Sequence, residues 1–176
     1  MPAIFKINIQ QFIDARRIAP FQLKVLALCF LVVAIDGFDT AAVGYIAPAL
    51  KGEWKLVPTQ LSTLFGAGLF GLMAGALLFG PLADKVGRRT ILIISTAFFG
   101  LASIASASSS SIEALMVWRF VTGIGLGGAM PSAITLTSEY CPERNRSLLV
   151  MIMFCGFTMG GALGGLSAAA PPIFHP

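Results

Sequence analysis

The 176-residue chain is 56% hydrophobic and 11% charged, with 12 Lys and Arg, 8 Asp and Glu and a formal net charge of +4. Soluble domains carry roughly 25% charged residues, so this chain has too little polar surface for water, and we expect the lipid bilayer to be its solvent. The positive charge does not indicate a nucleic acid partner, because no basic stretch of the sequence carries interleaved aromatic residues.

Five long apolar runs predict an all-α membrane protein with about five transmembrane helices. A spanning helix needs about 20 apolar residues to cross ~30 Å of hydrocarbon, and the runs are close to that length. They cover residues 25–45, 61–83, 90–107, 115–137 and 147–170. Residues 1–24 are expected to form a cytoplasmic N-terminal tail and residues 171–176 a terminal stub.

Lys and Arg are distributed unevenly between the two sides of the predicted bundle. The side opposite the N-terminus has three basic residues: Lys51, Lys55 and Arg119, which is counted as a helix flank. The N-terminal side has nine: Lys6, Arg16, Arg17, Lys24, Lys85, Arg88, Arg89, Arg144 and Arg146. Because positively charged connections stay in the cytoplasm, we expect a multi-pass protein of the inner (plasma) membrane with a cytoplasmic N-terminus.

Two acidic residues interrupt the first apolar run. A charge near the centre of a spanning helix costs roughly 2.5–3.5 kcal/mol on insertion scales. Asp36 and Asp39 are three residues apart, which places both carboxylates on one helix face. We expect them to face a polar cavity or a basic partner and to serve as proton carriers. The alternative is that Asp36 and Gly37 kink the helix and make only structural hydrogen bonds.

Arg119, near the outer end of the fourth run, is the natural partner for these acids. Asp39 falls at a similar depth, so an Asp39–Arg119 pair is geometrically feasible and would offset the cost of two charges. The alternative is that Arg119 snorkels to the outer interface beside Trp118. The sequence leaves both arrangements open.

A short polar cluster connects the second and third runs. Asp84 in this cluster can cap the following turn or accept a hydrogen bond from Arg88, while its glycines permit a tight turn. On the same side, Glu139 ends the fourth run, with Arg144 and Arg146 just beyond it. These charges predict either a network that gates a conformational change or solvated loop charges. The cluster reads Gly80-Pro-Leu-Ala-Asp84-Lys-Val-Gly87-Arg88-Arg89.

Nothing in the sequence indicates an enzyme, a metal site or a cofactor. His175 is the single histidine and lies in the terminal stub, so neither a His-based metal cluster nor a Ser/His triad can be assembled. The three cysteines show no CxxC spacing and are interpreted as reduced packing residues.

The same residues resemble signatures of the major facilitator superfamily. Gly80-x-Leu-x-Asp84-x-x-Gly87-Arg88-Arg89 is similar to the signature of its second connection. The run Arg119-x-x-x-Gly123-x-Gly125-x-Gly127 resembles the fourth-helix motif, and Glu139 with Arg146 resembles the pattern that closes this helix. Asp36-Gly37-Phe38-Asp39 is similar to the signature of the aromatic acid:proton symporters, and the stretch 119–140 looks like the 4-hydroxybenzoate and protocatechuate transporters of that group.

The resemblance covers roughly residues 8–167 and implies roles for individual residues. Asp36 and Asp39 would serve proton coupling and uptake of a small aromatic carboxylate. Arg119 would be the partner of a carboxylate, either that of Asp39 or that of the substrate. The gating network would contain Gly80, Asp84, Gly87, Arg88, Arg89, Glu139 and Arg146.

The resemblance also implies an incomplete N-terminal half of the fold. Members of the superfamily have two six-helix halves with substrate held between them, and this chain would stop after about helix five. We therefore expect a fragment that is not competent to transport alone and lacks C-terminal helices as partners. Two alternatives stay open: a transporter of the same superfamily for a different substrate, and a non-transporting module that assembles with other helices. The module is motivated by small residues four apart, as in Gly71 and Gly75.

Overall fold

The computed structural model describes residues 19–169. Most of the predicted N-terminal tail, residue 170 and the terminal stub with His175 lie outside the described residues. Within them the chain is all-helical, and its five long helices are each long and apolar enough to cross a membrane, which confirms the predicted fold class. A 3₁₀ turn, Glu143–Asn145, precedes the fifth of these helices. The helices are α1 (Pro20–Glu53), α2 (Pro58–Val86), α3 (Arg88–Ala107), α4 (Ile112–Tyr140) and α5 (Arg146–Ala169).

Local sequence signals account for the helix boundaries. Proline stands at the first position of α1 and of α2, where its missing N–H costs nothing. The Ser111 side chain caps α4 by accepting from the backbone N–H of Ala114 at 3.2 Å. Gly87 separates α2 from α3 with φ of 97°, a left-handed conformation that side chains disfavour. The sharp connection between these two helices therefore depends on glycine.

α1 is longer than the hydrocarbon core requires. Its 34 residues make a helix of about 51 Å at 1.5 Å per residue, against ~30 Å of hydrocarbon. Asp36 lies half way along this helix and is buried. Its burial by neighbouring helices removes it from the lipid face.

α4 is the central helix of the bundle. It packs along α2 and α3 and also contacts α1, whereas α5 packs chiefly along α1. These interfaces are built on glycine. A Cβ atom at Gly75 would collide with the backbone carbonyl of Ile124, and one at Gly160 would collide with that of Ala34. The small-residue spacing thus brings backbones together inside this chain.

A buried apolar cluster lies where α1, α4 and α5 meet. It includes Val33, Ala133 and Met153, each almost inaccessible. Cys29 and Cys141 belong to the same cluster and are free thiols. Burial raises the pKa of the Cys141 thiol, the nearby Cys29 adds to this effect and Arg146 opposes it. A protonated, buried thiol is a packing residue rather than a nucleophile.

Candidate functional site at the Asp39–Arg119 ion pair

Asp39 and Arg119 form an ion pair between α1 and α4. Arg119 donates from Nη1 to Oδ2 of Asp39 at 2.6 Å, and each side chain is only 16% exposed. Of the two arrangements that the sequence left open, the structure has the paired one. The pair neutralises two charges that would otherwise each be costly at this depth.

A third helix contributes to the pair. Ser103 on α3 donates from Oγ to Oδ1 of Asp39 at 2.7 Å. Both oxygens of the Asp39 carboxylate therefore have a short hydrogen bond, one from α3 and one from α4. Three helices are joined at one side chain.

Asp36 lies one turn before Asp39 and is more deeply buried. It accepts a hydrogen bond from Thr40, four residues later, at 3.3 Å. Asp36 has no basic partner among the described residues, because Arg119 pairs with Asp39 instead. The two acids on one helix face thus have different environments.

The two acids and Arg119 open onto a groove of about 340 Å³ between α1, α2, α4 and α5. Its polar side chains are these three residues together with Thr40 and Thr122. The rest of its lining is apolar and includes Val43, Leu64, Phe65, Leu69, Leu72, Leu126, Met130 and Phe157. Arg119 is the single positive side chain among the residues that line the groove. An anionic ligand entering it would meet one cation inside an apolar wall.

The Arg119 guanidinium is only partly satisfied. Its Nη1 binds Asp39, but its Nε is buried and has no hydrogen-bond partner among residues 19–169. A buried donor without a partner costs about 1–3 kcal/mol. The guanidinium therefore has a donor that none of the described residues uses.

A second polar cluster lies at the end of the bundle that carries the α2–α3 connection. Arg88 donates to Oδ1 of Asp84 at 2.9 Å and to Oγ1 of Thr135 at 3.1 Å. Its Nε also lies 3.8 Å from Oε1 of Glu139. Arg88 thus connects the start of α3 to the last turns of α2 and α4.

Other residues predicted for this cluster are placed differently. Arg146 forms its ion pair with Glu143, at 3.9 Å, rather than with Glu139. Arg89 is exposed and has no ion pair among the described residues. Apart from the backbone of its own helix, no described residue comes within 4 Å of a Cβ placed at Gly80, so that glycine is not required by a close contact there.

Sequence reasoning missed three polar contacts. Ser103 and Thr135 could not be singled out, because hydroxyl residues are frequent in both helices and no spacing marks these two. Thr40 was detectable in principle, since a hydroxyl four residues after Asp36 lies on the same helix face. Among residues 19–169, no group of three or more His, Cys, Asp or Glu side chains could hold a metal ion.

Comparison with known proteins agrees with this architecture. A family model described as Major Facilitator Superfamily matches residues 29–170. The chain belongs to the major facilitator superfamily. The resemblance of the loop and fourth-helix motifs to this superfamily is thereby confirmed.

Similar proteins of the superfamily are named as transporters of aromatic acids. The chain is 50% identical over 175 residues to a 4-hydroxybenzoate transporter of Pseudomonas aeruginosa, covering 99% of this chain and 39% of that protein. It is 46% identical over 168 residues to a gallate transporter of Pseudomonas putida, covering 96% of this chain and 37% of that protein. A benzoate transport protein of Acinetobacter baylyi is 36% identical over 169 residues, covering 93% of this chain and 35% of that protein. The chain thus spans less than two-fifths of the length of these relatives.

Proposed function

We propose that this chain forms the N-terminal part of a proton-coupled symporter for a small aromatic carboxylic acid, with 4-hydroxybenzoate as the reference substrate. The observation that carries the proposal is the Asp39–Arg119 ion pair on the wall of an otherwise apolar groove. The names of the similar proteins support the choice of substrate class.

The groove has the chemistry that an aromatic carboxylate requires. Phe65 and Phe157 supply aromatic surface for a ring, and Arg119 supplies a cation for the carboxylate. Its volume of about 340 Å³ is near the lower end of the roughly 300–1,000 Å³ typical of small-molecule sites. A single-ring acid suits that volume.

Asp39 provides a route for coupling substrate to protons. While Asp39 is ionised it occupies Nη1 of Arg119. Protonation of Asp39 removes its negative charge and weakens its hold on the guanidinium, which then binds the substrate carboxylate more strongly. Asp36, one turn away and without a basic partner among the described residues, supplies a second proton site on the same face.

We place this groove in a multi-pass protein of the inner (plasma) membrane, with the N-terminus in the cytoplasm. The excess of Lys and Arg on one side of the bundle supports this orientation. In this orientation Asp84, Arg88 and Glu139 form a cytoplasmic network, and we propose that its rupture accompanies opening on that side.

Uptake by this chain would require further helices. The groove is formed by one set of helices, and transporters of this architecture hold substrate between two halves. We propose that the chain alone binds substrate weakly and does not transport it. The remaining part of a longer transporter would supply the opposing wall.

A fusion tests the proposal. The chain is joined to the part of the Pseudomonas aeruginosa relative that it does not cover, and uptake of labelled 4-hydroxybenzoate is measured in cells. We expect uptake that is abolished by collapsing the proton gradient and reduced at least tenfold by Asp39→Asn. The matched control is Glu113→Gln, which removes an exposed acid at the start of α4.

Three results would discriminate between the hypotheses. Uptake that persists without a proton gradient and in an Asp36→Asn/Asp39→Asn variant contradicts proton coupling. Uptake of a non-aromatic substrate only would indicate a superfamily transporter of different specificity. A fusion that inserts but transports nothing would favour the non-transporting module, although the glycine faces that motivated it are already used inside this chain.

A further inference from the structure

Ser103 contacts the ion pair from outside the groove. It does not line the groove, and it reaches Asp39 from α3, behind the Asp39–Arg119 pair. A ligand in the groove would therefore not touch Ser103. Any influence of Ser103 on ligand binding must act through Asp39.

The two short hydrogen bonds of Asp39 fix the rotation of its carboxylate. Ser103 holds Oδ1 at 2.7 Å and Arg119 holds Oδ2 at 2.6 Å. Arginine and carboxylate side chains often pair through two parallel hydrogen bonds. With Oδ1 held by Ser103, Asp39 uses only Nη1 of the guanidinium, and Nε stays without a partner.

Other buried hydroxyls on α3 lack such a role. Ser95, Thr96 and Ser106 have buried hydroxyl oxygens with no hydrogen-bond partner in the described part of the chain. Ser106 lies one turn from Ser103 and is well buried. Ser103 is therefore distinguished by its contact with Asp39, not by being a polar residue in this helix.

We infer that Ser103 is a positioning residue that keeps the Asp39–Arg119 pair single-bonded and so reserves part of the Arg119 guanidinium for a ligand carboxylate. This inference rests on the proposed function. Without the Ser103 hydroxyl, the Asp39 carboxylate is free to rotate and to take a second N–H of Arg119. The ion pair then becomes tighter, and the guanidinium becomes less available to a ligand.

The test uses two substitutions of nearly equal shape. Both add a methyl group on Cβ. Ser103→Thr keeps the hydroxyl, whereas Ser103→Val has a second methyl group in its place. The chain is reconstituted in lipid nanodiscs, and affinity for 4-hydroxybenzoate is measured by quenching of tryptophan fluorescence, since Trp118 neighbours Arg119. In Ser103→Val we expect the affinity for 4-hydroxybenzoate to fall about tenfold, because the ligand carboxylate loses one hydrogen bond from Arg119. Loss of a hydrogen bond to a charged group has about that effect. Ser103→Thr and Ser106→Ala should stay within about twofold of the parent chain by the same reasoning.

Two further measurements separate positioning from a structural role. The thermal stability of Ser103→Val should equal or exceed that of the parent chain, because the ion pair gains a contact. The infrared carboxylate bands of Asp39, isolated as a difference spectrum against Asp39→Asn, should shift in Ser103→Val and not in Ser103→Thr. A structural role would instead lower stability in proportion to affinity.

The outcomes are distinct from those for the proposed function. If the parent chain binds no 4-hydroxybenzoate, the proposed function loses support, but the infrared bands still test whether Ser103 sets the geometry of Asp39. Equal bands in Ser103→Val and Ser103→Thr, or an effect of Ser106→Ala as large as that of Ser103→Val, would overturn the inference. If Ser103→Val does not accumulate in the membrane, Ser103→Cys, with its weak donor, replaces it and should give an intermediate band shift.

Discussion

Arg119 on α4 donates to Asp39 on α1 at 2.6 Å, which joins two helices that otherwise pack mainly on different neighbours. α1 packs chiefly on α5, whereas α4 packs on α2 and α3. The ion pair therefore connects the two parts of the bundle at the wall of the groove. A change in the charge of Asp39 would act on both the ligand site and this helix contact.

Removal of one partner of the Asp39–Arg119 pair should lower the stability of the fold more than removal of both partners. Arg119→Gln leaves a buried, uncompensated carboxylate, and we expect the free energy of unfolding to fall by about 3–5 kcal/mol. The double variant Asp39→Asn/Arg119→Gln should recover much of this loss. Reversible unfolding in mixed detergent micelles measures both, with exposed Arg144→Gln as the control. Strictly additive losses in the double variant would argue against a coupled pair.

The close approach of α2 and α4 should be sensitive to a single methyl group. A Cβ at Gly75 meets the backbone carbonyl of Ile124, so Gly75→Ala forces these helices apart. We expect a loss of about 1–3 kcal/mol in the free energy of unfolding. Gly66→Ala on the same helix is the matched control, because no described residue outside its own helix backbone lies within 4 Å of the added Cβ. Equal effects at the two positions would show that helix propensity, not contact, is responsible.

The Arg88 network should affect transport more than stability. Its carboxylate partners Asp84 and Glu139 are exposed, and exposed ion pairs contribute about 0–1 kcal/mol. In the fusion transporter, we expect Arg88→Gln to reduce uptake at least tenfold with little change in melting temperature. Lys85→Gln, at an exposed residue next to Asp84 without an ion pair among the described residues, should leave both unchanged. A parallel fall in stability and uptake would indicate a structural role for Arg88.

Orientation is testable with single cysteines. We expect Lys51→Cys, at the end of α1, to react with a membrane-impermeant maleimide in intact cells, and Arg89→Cys to react only after permeabilisation. The background lacks Cys155, which is exposed, while buried Cys29 and Cys141 are retained. The reverse labelling pattern would place the N-terminus outside the cytoplasm.

Much of the fold could be predicted from sequence because few backbone structures are stable inside a lipid bilayer. Backbone groups inside a bilayer must bond within their own helix, so a long apolar run predicts a helix almost independently of its neighbours. The glycine spacing likewise predicted packing faces. It could not identify their partners, which the structure shows to be α2 against α4 and α1 against α5.

The sequence by itself determined the membrane class, the number of apolar helices and the presence of three charges that lipid would not tolerate. Only the tertiary structure decided that Arg119 binds Asp39, that Ser103 holds the other carboxylate oxygen and that Arg146 pairs with Glu143. The physical reason is that the first set of properties is local in sequence and the second depends on contacts between distant segments. Solvent preference is a property of each segment alone, whereas a hydrogen bond between helices depends on their relative depth and rotation. Those are set by the glycine contacts of the whole bundle.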